Sequence, residues 1–163
     1  MTPRTTGPAP SAPADSPAGD EPSLYLEDQF CFTLYSASRA VTAAYRPLLD
    51  RLGLTYPQYL VMLVLWQHGT ITVKDLVRTL NLDYGTLTPL LKRLETAGLL
   101  ERRRRAEDER VVDITPTQDG LDLRRLALAI PPALDEAFNL PGQDIVTANA
   151  VLTQLIRNLT HAE

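Results

Sequence analysis

Three side chains near the start of the chain have the types and spacing for thiol redox chemistry. Cys31 lies in QFCFTLY (residues 29–35), between Phe30 and Phe32; Tyr35 follows one helical turn later, and Tyr45 fourteen positions on. At about 100° per helical residue, the two tyrosines fall roughly 40° to either side of the cysteine, so all three share a face. Along the axis, Tyr45 lies roughly 21 Å from Cys31 and cannot touch the sulfur of its own chain. A second copy of the helix packed nearby would bring a Tyr45 within reach. A phenol that donates a hydrogen bond to sulfur favours the thiolate. Thiolate is the species that peroxides oxidise, to sulfenic acid first. Taken alone, a cysteine in an amphipathic helix is more often a small core residue, and the two tyrosines would then be interface aromatics.

A second set of residues could hold DNA. In DYGTLTPLLKR (83–93), Asp83 can cap a helix, Gly85 permits close backbone approach, and Tyr84, Thr86 and Thr88 offer hydroxyls. Lys92 and Arg93 can take phosphates or base edges. Leu87, Leu90, Leu91 and Leu94 supply an inward face. Pro89 conflicts with this: helix rules alone start the helix at Thr88, with Pro89 in its first position. Further on, RRRRAEDER (102–110) joins a basic run to a turn. Arg103, Arg104, Arg105 or Arg110 could enter a narrow minor groove. Asp108 and Arg110 could also form an ion pair that shapes the tip.

These residues need elements to position them. From Leu24 to about Leu52 there is no glycine, and apolar residues recur at helical spacing, with a kink or end expected at Pro47. Thr55 is a cap for a second helix reaching about Gln67, closed by HGT (68–70). TVKDLVRTLN (72–81) reads as a short amphipathic helix capped by Thr72, with Asp75 three residues on. Residues 82–98 form a second short helix ended by Gly98. LLERRRR and RVVDITP alternate apolar and charged residues around AEDE, which is a hairpin. A helix opens at Thr117, and Pro131, Pro132 and Pro141 punctuate two further helical segments, the last from about Gln143 to Leu159. The fold class is therefore mainly α with a small β-hairpin wing: a winged helix-turn-helix. Its long terminal helices carry apolar faces that a dimer would cover. The domain plan is a disordered extension over 1–22, dimerisation helices at 23–54 and 117–163, and a DNA-binding region at 55–116. The extension carries six prolines among small polar residues.

Composition narrows the function classes. The chain has 163 residues, 44% of them hydrophobic, and its longest strongly apolar run, YLVMLVLW, is short. A membrane-spanning helix needs about 20 such residues. No basic-then-apolar leader is present, and one cysteine allows no intrachain disulfide, so a reducing, cytoplasmic setting is expected. Net charge is −4, but residues 92–110 hold seven basic and five acidic side chains, a local +2 on a body of −6. A basic patch on an acidic body can bind phosphate while the body stays soluble. A thiol peroxidase is a rival reading of Cys31. EDQF precedes it, not the Pro and Thr usual before a peroxidatic cysteine.

The motifs CFTLYSASRAVTAAYRPLLDRLGLTYPQYLVMLVLW and LDYGTLTPLLKRLETAGLLERRRRAEDERVVDITPTQDG, in that order, resemble the MarR family of transcriptional regulators. More narrowly, they resemble its organic-hydroperoxide-sensing repressors, the OhrR type. The resemblance runs from about Leu24 to the helix after Gly120; the last two helices match only in type. It implies a non-enzymatic homodimer on a pseudo-palindromic double-stranded operator, with no cofactor. Cys31 matches the sensing cysteine, Tyr35 and Tyr45 the two tyrosines that poise it across the dimer, and Asp108 and Arg110 the acid and arginine of the wing. Organic hydroperoxide would be the inducer. With no second cysteine, the Cys31 sulfenate would be capped by a small cellular thiol or oxidised further. Tyr84 stands where such proteins more often carry a serine. The alternative function is a family member that answers to a phenolic or lipophilic ligand, with Cys31 silent.

Overall fold

The computed structural model describes residues 23–160, so the expected disorder over 1–22 lies outside the described residues. A 3₁₀ turn (Leu26–Asp28) precedes α1 (Phe30–Asp50) and α2 (Tyr56–His68). Then come β1 (Ile71–Thr72), α3 (Val73–Leu80), α4 (Tyr84–Thr96), β2 (Leu100–Arg104) and β3 (Val112–Pro116). Three helices follow: α5 (Gln118–Ala127), α6 (Ile130–Phe138) and α7 (Gly142–Thr160). Two compact units divide between Ser36 and Ala37. No helix among the described residues is long and apolar enough to cross a membrane.

In the first unit the Gln29 side-chain amide donates to the carbonyls of Ser23 (2.8 Å) and Tyr25 (3.0 Å), holding the turn that launches α1. Leu24, Tyr25, Phe30, Phe32 and Tyr35 are exposed there.

The second unit holds the core. Leu49, Met62, Leu65, Leu76, Leu87, Leu91, Leu94, Leu100 and Ile114 are almost wholly buried. They come from α1, α2, α3, α4, β2 and β3, so one core sets the spacing of the reading head. The expected caps form. The Thr55 N–H donates to Gln58 Oε1 (2.8 Å). Thr72 Oγ1 accepts the Asp75 N–H at 3.1 Å and donates to its carboxylate at 2.6 Å. Thr117 Oγ1 accepts the Gly120 N–H (3.1 Å) and donates to the Gly98 carbonyl (2.6 Å), tying α5 to the end of α4. The turn from α3 to α4 passes through Asn81 in the left-handed region (φ 50°), which asparagine tolerates well.

Two details differ from the sequence expectations, and a conflict within them is resolved. Pro47 neither ends nor interrupts α1, which continues to Asp50. α4 starts at Tyr84 behind the Asp83 cap, as expected for the 82–98 helix and against the later start that Pro89 alone would favour, with Pro89 inside it. A helix-interior proline costs about 3 kcal/mol, and here burial of four leucines and a doubly bonded Asp83 cap offset it. The hairpin is also part of a three-stranded antiparallel sheet of order β1-β3-β2. Ile71 pairs with Ile114, and Arg102, Arg103 and Arg104 pair with Ile114, Asp113 and Val112. A two-residue strand leaves no alternation to read in sequence.

Candidate redox and nucleic-acid sites

Cys31 is exposed on the first turn of α1. Tyr35, one turn on, is also exposed, 56% of its surface open. Tyr45, further along α1, is half-buried in an aromatic cluster. Its ring lies 4.7 Å from that of Tyr56 and 5.9 Å from that of Tyr59, and Tyr59 in turn meets Trp66 edge-on at 6.1 Å. Such pairs add stability beyond the area they bury. Burial, and then the neighbouring phenols of Tyr56 and Tyr59, push the Tyr45 phenol up from its usual range. Tyr45 therefore stays protonated well past neutral pH and keeps an O–H to donate. The sequence reading missed Tyr56, Tyr59 and Trp66. The available signal was the aromatic pair three residues apart on α2, the residues that face a partner helix together.

The cap of α4 is built from both ends of DYGT. Asp83 Oδ1 accepts the Thr86 N–H and Oδ2 accepts the Thr86 hydroxyl, each at 2.7 Å. These bonds hold the Asp83 carboxyl below the usual carboxylate range. A Cβ on Gly85 would lie 3.0 Å from Asp83 Oδ1, so the glycine keeps the cap uncrowded. Thr88 donates its hydroxyl to the Tyr84 carbonyl at 2.7 Å. The hydroxyl hydrogens of Thr86 and Thr88 are thus committed inside the helix, and only their lone pairs remain for a ligand.

The wing is exposed from Glu101 to Arg110. Its tip is shaped differently from the expected ion pair. The Asp108 carboxylate accepts the backbone N–H of Arg110 (3.1 Å), and the Asp108 carbonyl accepts the Val111 N–H (2.9 Å). The ion pair of the hairpin is Arg105 with Asp113, a two-pronged contact at 2.7 and 2.8 Å that holds the Asp113 carboxyl below its ordinary range. Arg102 pairs with Glu95 of α4 at 2.8 Å, which fixes the base of the wing against the helix. Arg104 donates only a long bond to the Glu109 carbonyl (3.4 Å). Two of the four consecutive arginines are therefore occupied by acids.

Between α4 and the wing lies an open groove of about 500 Å³. It brings together Tyr84 and Thr88 from α4, and Arg105 and Arg110 from the wing, with Arg102 and Lys74. Lys74, in the first turn of α3, was not singled out from the sequence; its neighbours in the chain gave no sign that β1 would carry it to the wing. Arg103 and Arg104 line a different depression, beside Glu101, Glu107 and Asp113. Lys92 and Arg93 are exposed on α4 outside the groove. Cationic side chains around a concave wall suit the phosphates of a nucleic-acid backbone. Among the described residues, no three His, Cys, Asp or Glu side chains gather as a metal site.

Comparison with known proteins agrees with this geometry. A profile of the MarR family matches residues 54–112. The organic hydroperoxide resistance transcriptional regulator of Bacillus subtilis is 48% identical over 136 residues, covering 83% of this chain and 92% of that protein. AbfR, a Staphylococcus epidermidis protein, has been solved bound to DNA. The overoxidized complex matches at 36% identity and TM-score 0.70 over 85% of this chain and 95% of AbfR. The reduced complex matches at 36% identity and TM-score 0.71 over 83% and 93%. On this identity, extent and winged architecture, the chain belongs to the MarR family of transcriptional regulators.

Proposed function

We propose that the reduced protein is a homodimeric repressor that holds a pseudo-palindromic operator, and that an organic hydroperoxide releases it by oxidising Cys31. The observation that carries this reading is an exposed, solitary thiol on α1 in a chain so similar to a hydroperoxide-resistance regulator. The Cys31 thiolate attacks one peroxide oxygen. The O–O bond breaks, the second oxygen leaves as an alkoxide that takes a proton to become the alcohol, and sulfur is oxidised to sulfenic acid. A small cellular thiol then condenses with the sulfenic acid, forming a mixed disulfide and releasing water. In the dimer, Tyr35 and the partner subunit's Tyr45 hold the reduced sulfur by hydrogen bonds. The oxidised sulfur breaks these bonds, the dimer helices shift, and the two reading heads lose register. Because an overoxidized relative has been solved on DNA, we assign release to the bulkier mixed disulfide, not to the acid. The protein would do this in the cytoplasm, where such thiols are abundant.

The test is operator binding before and after one equivalent of cumene hydroperoxide with a small thiol present, intact mass being followed in parallel. Loss of binding should track the mixed-disulfide mass, and Cys31→Ser should keep its operator under the same treatment. A Cys31→Ser protein that still releases DNA would show that a non-covalent ligand response, not redox chemistry, controls this regulator.

A further inference from the structure

Pro89 remains unexplained by the fold. It lies in the interior of α4, where it removes the bond its N–H would have given to the Gly85 carbonyl; the neighbouring leucines and the Asp83 cap offset that cost, but the ring itself is exposed and packs into no core. Its direction is informative. The buried residues Leu87, Leu90, Leu91 and Leu94 define the inward side of α4. At about 100° per residue, Gly85, Pro89 and Lys92 fall within roughly 30° of the opposite direction, the outermost ridge of the helix. Gly85 puts no side chain on that ridge, so the pyrrolidine ring is its leading apolar group. Thr88 flanks the ring, with its hydroxyl turned back onto the Tyr84 carbonyl. The reading helix therefore advances carbon, not hydrogen-bond donors, at its centre.

We propose that Pro89 is a specificity-determining residue: its ring, with the Thr88 methyl beside it, packs on the C5-methyl of a thymine in the major groove and selects T·A at one position of each half-site. The inference rests on the DNA-binding reading given above. The thymine methyl is the only apolar group that a base pair presents in that groove, and an apolar ridge can discriminate nothing else there. Lys92, one turn along the same ridge, supplies the charge that anchors the helix.

The probe is a duplex enriched from a random-sequence library by the reduced, full-length protein. Each thymine of the enriched site is replaced in turn by uracil, which removes the C5-methyl and leaves the other base-edge groups in place. One position per half-site should lose about fourfold in affinity, the value of one buried methyl, and about 16-fold with both half-sites changed. In Pro89→Ser the same replacement should cost less than about twofold, while the thermal midpoint rises because an exposed helix-interior proline has gone. Thymines all replaceable at under about twofold cost, or a Pro89→Ser protein that keeps the full preference, overturn the assignment. A library that yields no enriched site overturns the DNA-binding reading itself, and the ridge with it.

Discussion

Gly120 is the residue on which the closure of the reading head depends. A Cβ there would stand 2.1 Å from the Leu99 carbonyl oxygen and 3.2 Å from the terminal methyl of Met62. The obstacle is backbone, so it cannot swing aside as a flexible side chain would. Gly120→Ala is expected to destabilise the protein by about 2–3 kcal/mol, read as a lower midpoint in urea. Trp66 Nε1 donates to the Gly120 carbonyl at 2.7 Å, so the single tryptophan reports on the same spot. Asp83 acts by charge. Its carboxyl is held below the ordinary aspartate value chiefly by the Thr86 hydroxyl and N–H. A lowered pKa means that its contribution is complete above the ordinary value and is lost as pH falls through the lowered one. The α4 cap should therefore release only in strongly acid solution. The carboxyl-carbon titration of Asp83 should have its midpoint below that of an aspartate in an unstructured peptide; a midpoint at the peptide value would mean that the two Thr86 bonds do not hold.

At the level of elements, the wing separates arginines that hold it from arginines that are available. Arg105 spends its fork on Asp113. Arg110 has its backbone N–H fixed by Asp108 and lines the groove. Arg110→Ala and Lys74→Ala should each weaken binding at all sequences and lower the slope of log affinity against log salt by about one. Arg105→Ala should instead loosen the hairpin, with faster amide exchange in residues 100–116 in the absence of DNA. Equal salt-slope effects for all three, with no change in exchange, would refute this division.

For the whole molecule, the unpartnered apolar surface sets the expectation. None of α7 is buried, and Val146, Val151, Ile156 and Leu159 are between 57% and 71% exposed. Leu126 and Leu128, at the end of α5 and just past it, are similarly open. A second copy of the chain is the partner that would cover such helices while fixing two reading heads about one DNA turn apart. Ile156→Glu is expected to shift sedimentation from dimer towards monomer and to weaken operator binding by about tenfold or more, since half of the paired contact is lost. A variant that remains dimeric with unchanged affinity would place the interface elsewhere.

What could be read from the sequence is what acts over a few residues. Thr55, Thr72, Asp83 and Thr117 announce their helices because a cap bonds to groups two or three positions away, and the leucines of α4 announce its inward face by their period. Cys31, Tyr35 and Tyr45 could be placed on one helix for the same reason. The tertiary structure decided everything that required choosing among distant partners. Asp113 and not Asp108 takes an arginine, because strand register sets Asp113 beside the basic run. Two residues of β1 pair with β3, and this brings Lys74, at the start of the helix that follows, to the groove. Tyr45 is a half-buried phenol because α2 turns Tyr56 and Tyr59 towards it. Even Pro89, whose local rule argued for a later helix start, lies inside a helix that begins at Tyr84, where the Asp83 cap and the buried leucines of α4 outweigh it. Local bonds are specified by spacing along the chain; partner choice is settled by the burial that brings whole elements together.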